Sequence, residues 1–422
     1  VGWAVAQVPD AGTTAALPPQ ALFPVSTSPS NGDLNPYGVA FVPPTVPVSG
    51  TQNLTTAFNP GDILVSNFNN GINANGGGNL QGTGTSIIRI QPNGNTSTFY
   101  QSNATLTQQQ GQPGVGLTNA LVVLQSGMVI VGSLPTTDGT FATVGAGSLL
   151  FIRRDGTLSS QITYMPNGIQ SPVAQTSRGY VNNAFFNADV IDGPWSMAVN
   201  DQGNGAQIFL SNVLTGTIVR FHITLDSDGN GVVFDQYPIY LTPTMHHQND
   251  ANGFLLGPSG LAYDPLPNSP TQDTLFIANS KDNAIYMLPG AAWNATAAPV
   301  QVLTVDAQHL HGPLGVALAP TGNIYVANSD GNNVDPNQPS EIVIYNMQGV
   351  FQGQFSVDPQ NGGAFGIAFQ TMGTITRSAR NGSVAITTPI ARFAAVNDNF
   401  APGNPLSLFK TPVLNAWTLF FN

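Results

Sequence analysis

Four of the five histidines fall in two short stretches, His246-His247 and His309-Leu310-His311. Imidazole is the commonest transition-metal ligand, so loops that bring two or three of them together could hold zinc, copper or iron, with Asp250 and Asp306 completing the set. A metal-dependent lyase or hydrolase would follow from that arrangement. The blander reading has the same residues hydrogen-bonding locally within polar loops. Asp226-Ser227-Asp228-Gly229-Asn230-Gly231 has the spacing of a calcium loop, in which Asp226, Asp228 and Asn230 would converge on a hard cation. Tyr237 stands where such a loop carries its bidentate Glu, and Asp, Asn and Gly are also plain turn formers. No Gly-X-Ser-X-Gly elbow, phosphate loop or dinucleotide fingerprint occurs, so no residue is assigned a covalent catalytic role. Trp195 and Phe254 could line a small pocket, or pack between sheets as aromatics at such places more often do.

The elements that must position these residues repeat. Six times a small turn opens a short apolar strand: Asn35-Pro36-Tyr37-Gly38-Val39-Ala40, Leu117-Thr118-Asn119-Ala120-Leu121, Gly193-Pro194-Trp195-Ser196-Met197-Ala198, Gly257-Pro258-Ser259-Gly260-Leu261-Ala262, Gly312-Pro313-Leu314-Gly315-Val316-Ala317 and Gly363-Ala364-Phe365-Gly366-Ile367-Ala368. A second apolar run follows each, usually ending in Asn, as in Ile208-Phe209-Leu210-Ser211-Asn212 and Ile324-Tyr325-Val326-Ala327-Asn328. Further strand pairs surround turns such as Pro92-Asn93-Gly94-Asn95 and Arg154-Asp155-Gly156. Four short strands per unit without helical periodicity predict an all-β, six-bladed β-propeller of antiparallel blades. The blades open near residues 35, 116, 193, 257, 312 and 363, and the propeller spans 35–410. Residues 1–34 form an N-terminal extension and 411–422 a C-terminal strand. The outermost strand of the sixth unit is expected from Trp417 to Phe421 or from Ala21 to Val25, which would close the ring with strands from the chain ends and hide an edge. The long loops on the side where the units open, histidine stretches included, are where function is expected. The recurrent Asn is expected to tie down turns.

Gly312-Pro313-Leu314-Gly315-Val316-Ala317, Pro320-Thr321-Gly322-Asn323-Ile324-Tyr325-Val326-Ala327-Asn328 and Ile342-Val343-Ile344-Tyr345 resemble the NHL repeat. The fourth unit matches nearly as well, the first, third and sixth match in part, and the second is degenerate. The resemblance covers roughly 35–410 and implies a six-bladed NHL-like propeller similar to uncharacterised secreted bacterial proteins. Propellers host unrelated functions, so it implies little about activity. Peptide-amidating lyases of this kind hold a metal with histidines from different blades, although no motif here matches theirs residue for residue. Calcium-dependent lactonases use a carboxylate set that includes Glu, and here Glu341 begins a third strand.

Charged residues make up only 7% of the 422-residue chain, against roughly 25% in typical soluble proteins. The formal net charge of −11 argues against nucleic acid or an anionic membrane as partner. No apolar run reaches the length of a membrane span. Cysteine is absent, which removes disulfides, thiolate catalysis and Cys-ligated zinc. Ala4-Val5-Ala6 reads equally as the end of a secretory signal or as an ordinary mature start. Asn-X-Ser/Thr occurs at Asn53, Asn95, Asn103, Asn294 and Asn381. Together these features predict a secreted or cell-surface (or periplasmic) protein leaning away from catalysis. It would act as a binding or structural module, with protein partners or its own copies joining through the terminal strands. A small-molecule ligand is compatible with that reading, and the metal-dependent lyase or hydrolase is its alternative.

Overall fold

The computed structural model describes the chain apart from residues 1–3, 8–23, 48–54, 72–78, 103–114, 117–118, 146, 164–189, 228, 230, 235–237, 250–254, 267–268, 270, 330–340, 358–362, 379–384, 399–412 and 421–422. Apart from the short pair Gln248–Asn249 and Leu255–Leu256, strands of the described residues gather into sheets of four or five strands, each holding one of the six repeats. Leu34–Phe41, Ile63–Asn69, Ser86–Ile90 and Thr96–Gln101 make the first sheet, in sequence order. The second, fourth and fifth follow the same meander, and the third adds Ile239–Tyr240 beside Thr217–Leu225. This is a propeller. Among the described residues no helix is long and apolar enough to cross a membrane.

Burial explains the apolar runs. Second strands such as Ile63–Asn69, Gly205–Asn212 and Ile324–Asn328 are buried at every residue. Each lies in a sheet covered on both faces, so the sequence there is continuously apolar rather than alternating. Outer strands such as Gln301–Val305 are largely exposed.

The first strands of successive sheets touch one another, from Leu34–Phe41 through Leu121–Val123, Pro194–Asp201, Pro258–Asp264 and Pro313–Leu318 to Ala364–Ser378, which touches Leu34–Phe41. This proximity accounts for the small residue in each opening turn. A β-carbon on Gly260 would lie 2.8 Å from the Leu314 carbonyl oxygen, and one on Gly366 would overlap that of Tyr37. The pairing register shifts at the same point, between Pro258 and Gly260 and between Pro313 and Gly315. Such bulges turn the preceding side chain inward. Tyr37 stacks on Phe68 and Phe365 at 4.0 and 3.9 Å and meets Trp195 edge-on. Asn119 Nδ2 donates to the Leu314 carbonyl 195 residues away. These buried side chains fill the middle of the molecule on the side where the repeats open. Trp195 is therefore packing, and Phe254 lies outside the described residues.

The sixth sheet departs from the sequence reading. Its order is Ala364–Ser378, Ala385–Asn397, Val413–Phe420, Ala4–Gln7. Residues 370–378 and 385–390 continue the hairpin, with Ser378 paired to Ala385. Trp417 lies in the third strand rather than the outermost, with Phe393 opposite, and Ala4–Gln7 runs parallel beyond it with Ala4 opposite Trp417. Of the Ala21–Val25 candidate, residues 21–23 lie outside the described residues, and Val25 pairs, within Val25–Ser26, opposite Leu414. The strand-like 406–409 lies outside the described residues.

The recurrent Asn works as expected. Asn212 Nδ2 donates to the Val190 carbonyl at 3.0 Å, and its Oδ1 accepts from Asp192 N at 3.0 Å. Asn279 and Asn328 bond in the same way to the carbonyls of His246 and His309. Each amide fastens the segment that leads into the opening turn of its own repeat. Asn212→Ala would leave buried backbone groups without their partner, so it is expected to cost about 1–3 kcal/mol in urea unfolding.

Candidate functional site

The turn between the second and third strands of the fourth sheet carries Asn279, Ser280, Lys281, Asp282 and Asn283. Asn283 has a left-handed backbone, φ 49°. Its side-chain oxygen accepts from Gly312 N at 2.9 Å, and its carbonyl accepts from Asp306 N at 3.4 Å. Asp282 and Asp306 are thus anchored on either side of one peptide. Each carboxylate takes a histidine and a tyrosine.

Asp306 Oδ1 accepts from the backbone N–H groups of Gln308 and His309 at 3.0 and 3.1 Å. Its Oδ2 accepts from His309 Nδ1 at 2.7 Å and from the Tyr345 hydroxyl at 3.0 Å. The His309 ring stacks on Phe351, 3.9 Å between centroids and 13° between planes. Held from both sides, the imidazole has one orientation. A carboxylate can only accept, so Nδ1 carries a hydrogen, and in the neutral imidazole Nε2 then holds the lone pair. Among the described residues Nε2 bonds no protein atom, and the side chain is 19% exposed, enough for solvent or a ligand to reach it. Burial acts to raise the Asp306 carboxyl, but the hydrogen bonds from His309 and Tyr345 outweigh it and hold the group below its ordinary range. Burial, with Asp306 alongside, pushes the Tyr345 hydroxyl far up, so it remains a donor.

The second set is looser. His246 Nδ1 lies 2.9 Å from Asp282 Oδ1, and Tyr286 donates to Oδ2 at 2.7 Å, but the His246 side chain is 82% exposed. His247 Nδ1 bonds the Met245 carbonyl at 3.0 Å, and His311 Nε2 lies 3.2 Å from the Gln308 carbonyl. His222 sits in the third sheet opposite Gln207.

Each of the four loop histidines therefore has its own nearest partner, and two of them are carboxylates. Among the described residues, no group of three or more His, Cys, Asp or Glu side chains is placed to hold a metal ion. The pairs lie where the fourth sheet meets the fifth. Asp250 is outside the described residues. Asp226 lies in a hairpin turn, its N–H donating to the Gly231 carbonyl and its carbonyl accepting from Gly229 N. Asp228 and Asn230 are outside the described residues. Sequence reasoning missed Tyr345, Phe351, Asp282 and Tyr286. The Asp306-X-X-His309 spacing was the available signal, because a carboxylate three residues before a histidine can close on it within one turn.

The site carries its own pH signature. A carboxyl with a depressed folded-state pKa adds stability above its unfolded value and loses it as pH falls through the folded value. Asp306→Asn is therefore expected to lower stability at neutral pH and to flatten the decline below about pH 4. Parallel unfolding curves for both proteins check this.

No family model and no curated protein sequence matches the chain. Solved structures do resemble it. One is the virginiamycin B lyase of Staphylococcus aureus, at 12% identity and a TM-score of 0.42 over 94% of this chain and 98% of that one. Another is an α-L-arabinanase of Penicillium chrysogenum, at 13% identity and a TM-score of 0.43 over 95% and 99%. A third is a GH74 xyloglucanase of Xanthomonas campestris, at 11% identity and a TM-score of 0.42 over 94% and 55%. All three are enzymes. The sequence reading leaned toward a binding or structural module and away from catalysis, whereas the solved structures that resemble the chain are those of enzymes. The C-terminal strand, Val413–Phe420, pairs within the chain's own sixth sheet, with Trp417 and Leu419 buried.

Proposed function

We propose that this chain is a hydrolase or lyase in which His309 Nε2 transfers the proton, oriented by Asp306 and Tyr345. The carrying observation is the 2.7 Å contact that fixes the imidazole tautomer and leaves Nε2 available. Such a base can activate water toward an ester or lactone, or remove a proton next to a carbonyl in an elimination. A two-carboxylate glycosidase site uses different groups. His246 with Asp282, anchored at the same turn, is available to protonate a leaving group.

A zinc enzyme takes about three protein ligands, and each His–Asp pair offers one imidazole, so the chemistry is assigned to the imidazole itself. Turnover is accordingly expected to survive chelation. The fold proposed around this site is a six-bladed propeller of the NHL type. Six repeats, contacts between the first strands in cyclic order and a sixth sheet drawing on both chain ends support it. The low charge supports a secreted or cell-surface setting.

A panel of chromogenic esters, lactones and elimination substrates, assayed with the wild-type chain and His309→Gln, tests the assignment. Turnover that disappears in the variant supports it. Turnover that the variant retains places the chemistry elsewhere.

A further inference from the structure

On the side opposite the openings, a cleft of about 500 Å³ separates the fourth sheet from the fifth. Its walls are the end of the fourth sheet's first strand with the loop that follows, and two turns of the fifth sheet around Thr321 and Met347. Thr271 Oγ1 joins the walls, donating to Asp264 on one side and lying 3.4 Å from Met347 Sδ on the other. The volume falls within the roughly 300–1,000 Å³ typical of small-molecule sites.

The lining indicates what would fit. Among the described residues no Lys, Arg or His lines it, so an anion finds no countercharge there. Its one carboxylate, Asp264, is buried and already accepts from Leu266 N at 3.0 Å, Ser269 Oγ at 2.6 Å and Thr271 Oγ1 at 2.8 Å. Those donors leave it little to offer a cation. The groups still open are neutral. Asn346 Oδ1 accepts from Gln348 N and Val350 N, at 2.9 and 3.0 Å, which leaves its Nδ2 without a protein partner among the described residues. The side chains of Thr321, Asn323 and Gln348 likewise bond no protein atom there. Amides and a hydroxyl both donate and accept, as a ligand's hydroxyls do. Leu318, Ala319 and Met347 supply an apolar floor for C–H surface.

We infer that this cleft binds a neutral, hydroxyl-rich molecule of the size of a short oligosaccharide, at a site separate from His309. Calorimetric titration with maltotriose, cellotriose and xylotriose tests it, with a trigalacturonate and a chitosan trimer as anionic and cationic controls. At least one neutral trisaccharide is expected to bind in the millimolar range, ahead of both charged ones. Thr321→Trp, a substitution at an exposed turn that crowds the cleft, and Asn323→Ala are each expected to weaken it at least about tenfold. Melting curves of both variants should match the wild type. Three results would overturn the inference: no heat with any neutral sugar, tighter binding of a charged control, or undiminished binding in both variants while they remain folded.

Discussion

His309→Gln is expected to lower kcat/KM by about 10²–10⁴-fold on whichever substrate the wild-type chain turns over, the usual contribution of a positioned general base. The substitution removes the Nε2 lone pair and also the stacking on Phe351, worth about 0.5–1.5 kcal/mol, so a small loss of stability should accompany a large loss of rate. Asp306→Asn separates orientation from basicity. Its amide can donate to Nδ1, which would move the hydrogen to Nε2 and take away the base while the ring stays in place. Its rate should therefore fall nearly as far as that of His309→Gln. Tyr345→Phe removes only one of the four hydrogen bonds to Asp306. It should cost no more than about tenfold, the equivalent of one hydrogen bond. The order His309, then Asp306, then Tyr345 is the test. If Tyr345→Phe proves the most damaging of the three, Asp306 serves the fold and His309 is not the base.

The fold was legible because its repeats write local physics into the chain. A strand buried on both faces has to be apolar throughout, as Ile208-Phe209-Leu210 is, and a close approach of backbones favours the Gly or Ser found in five of the six opening turns. The sixth sheet was only half legible. Ala4–Gln7 meets Val413–Phe420 in parallel, and no periodicity in a four-residue strand names a partner at the other chain end. The site followed the same divide. Asp306 and His309 are three residues apart and could be paired by spacing, whereas Tyr345 and Phe351 come from the next sheet and reach them only once two sheets pack. Counting histidines suggested a shared metal, whereas among the described residues each loop imidazole sits against its own nearest partner. A carboxylate within one turn, or one fixed beside the same peptide, captures an imidazole before a distant loop can.

Gly366→Ala is expected to destabilise the whole molecule by about 3 kcal/mol or more, at the upper end of overpacking costs. The added methyl group would overlap the carbonyl oxygen of Tyr37, and neither side can easily yield. Tyr37 is clamped between Phe68 and Phe365, and the neighbouring Gly38 N–H is held by Ser66 Oγ at 3.1 Å. The sixth sheet meets the first along this line, and other contacts there lie just as far apart in sequence. Gln370 Nε2 donates to the Val42 carbonyl at 2.9 Å, and Arg392 donates to the Gly61 carbonyl and lies 4.9 Å from the Phe41 ring centre. Contacts separated by more than 300 residues give nothing until the intervening sheets are in place, so loosening them opens the end of the array instead of one turn. Gly203→Ala is the contrasting case, because its φ of +86° is left-handed, unlike that of Gly366, and nothing lies within 4 Å of the new methyl group. That variant should lose only about 1–2 kcal/mol, the strain alone. Equal losses in the two proteins, measured by denaturant unfolding, would mean that the first and sixth sheets do not lock together at Gly366.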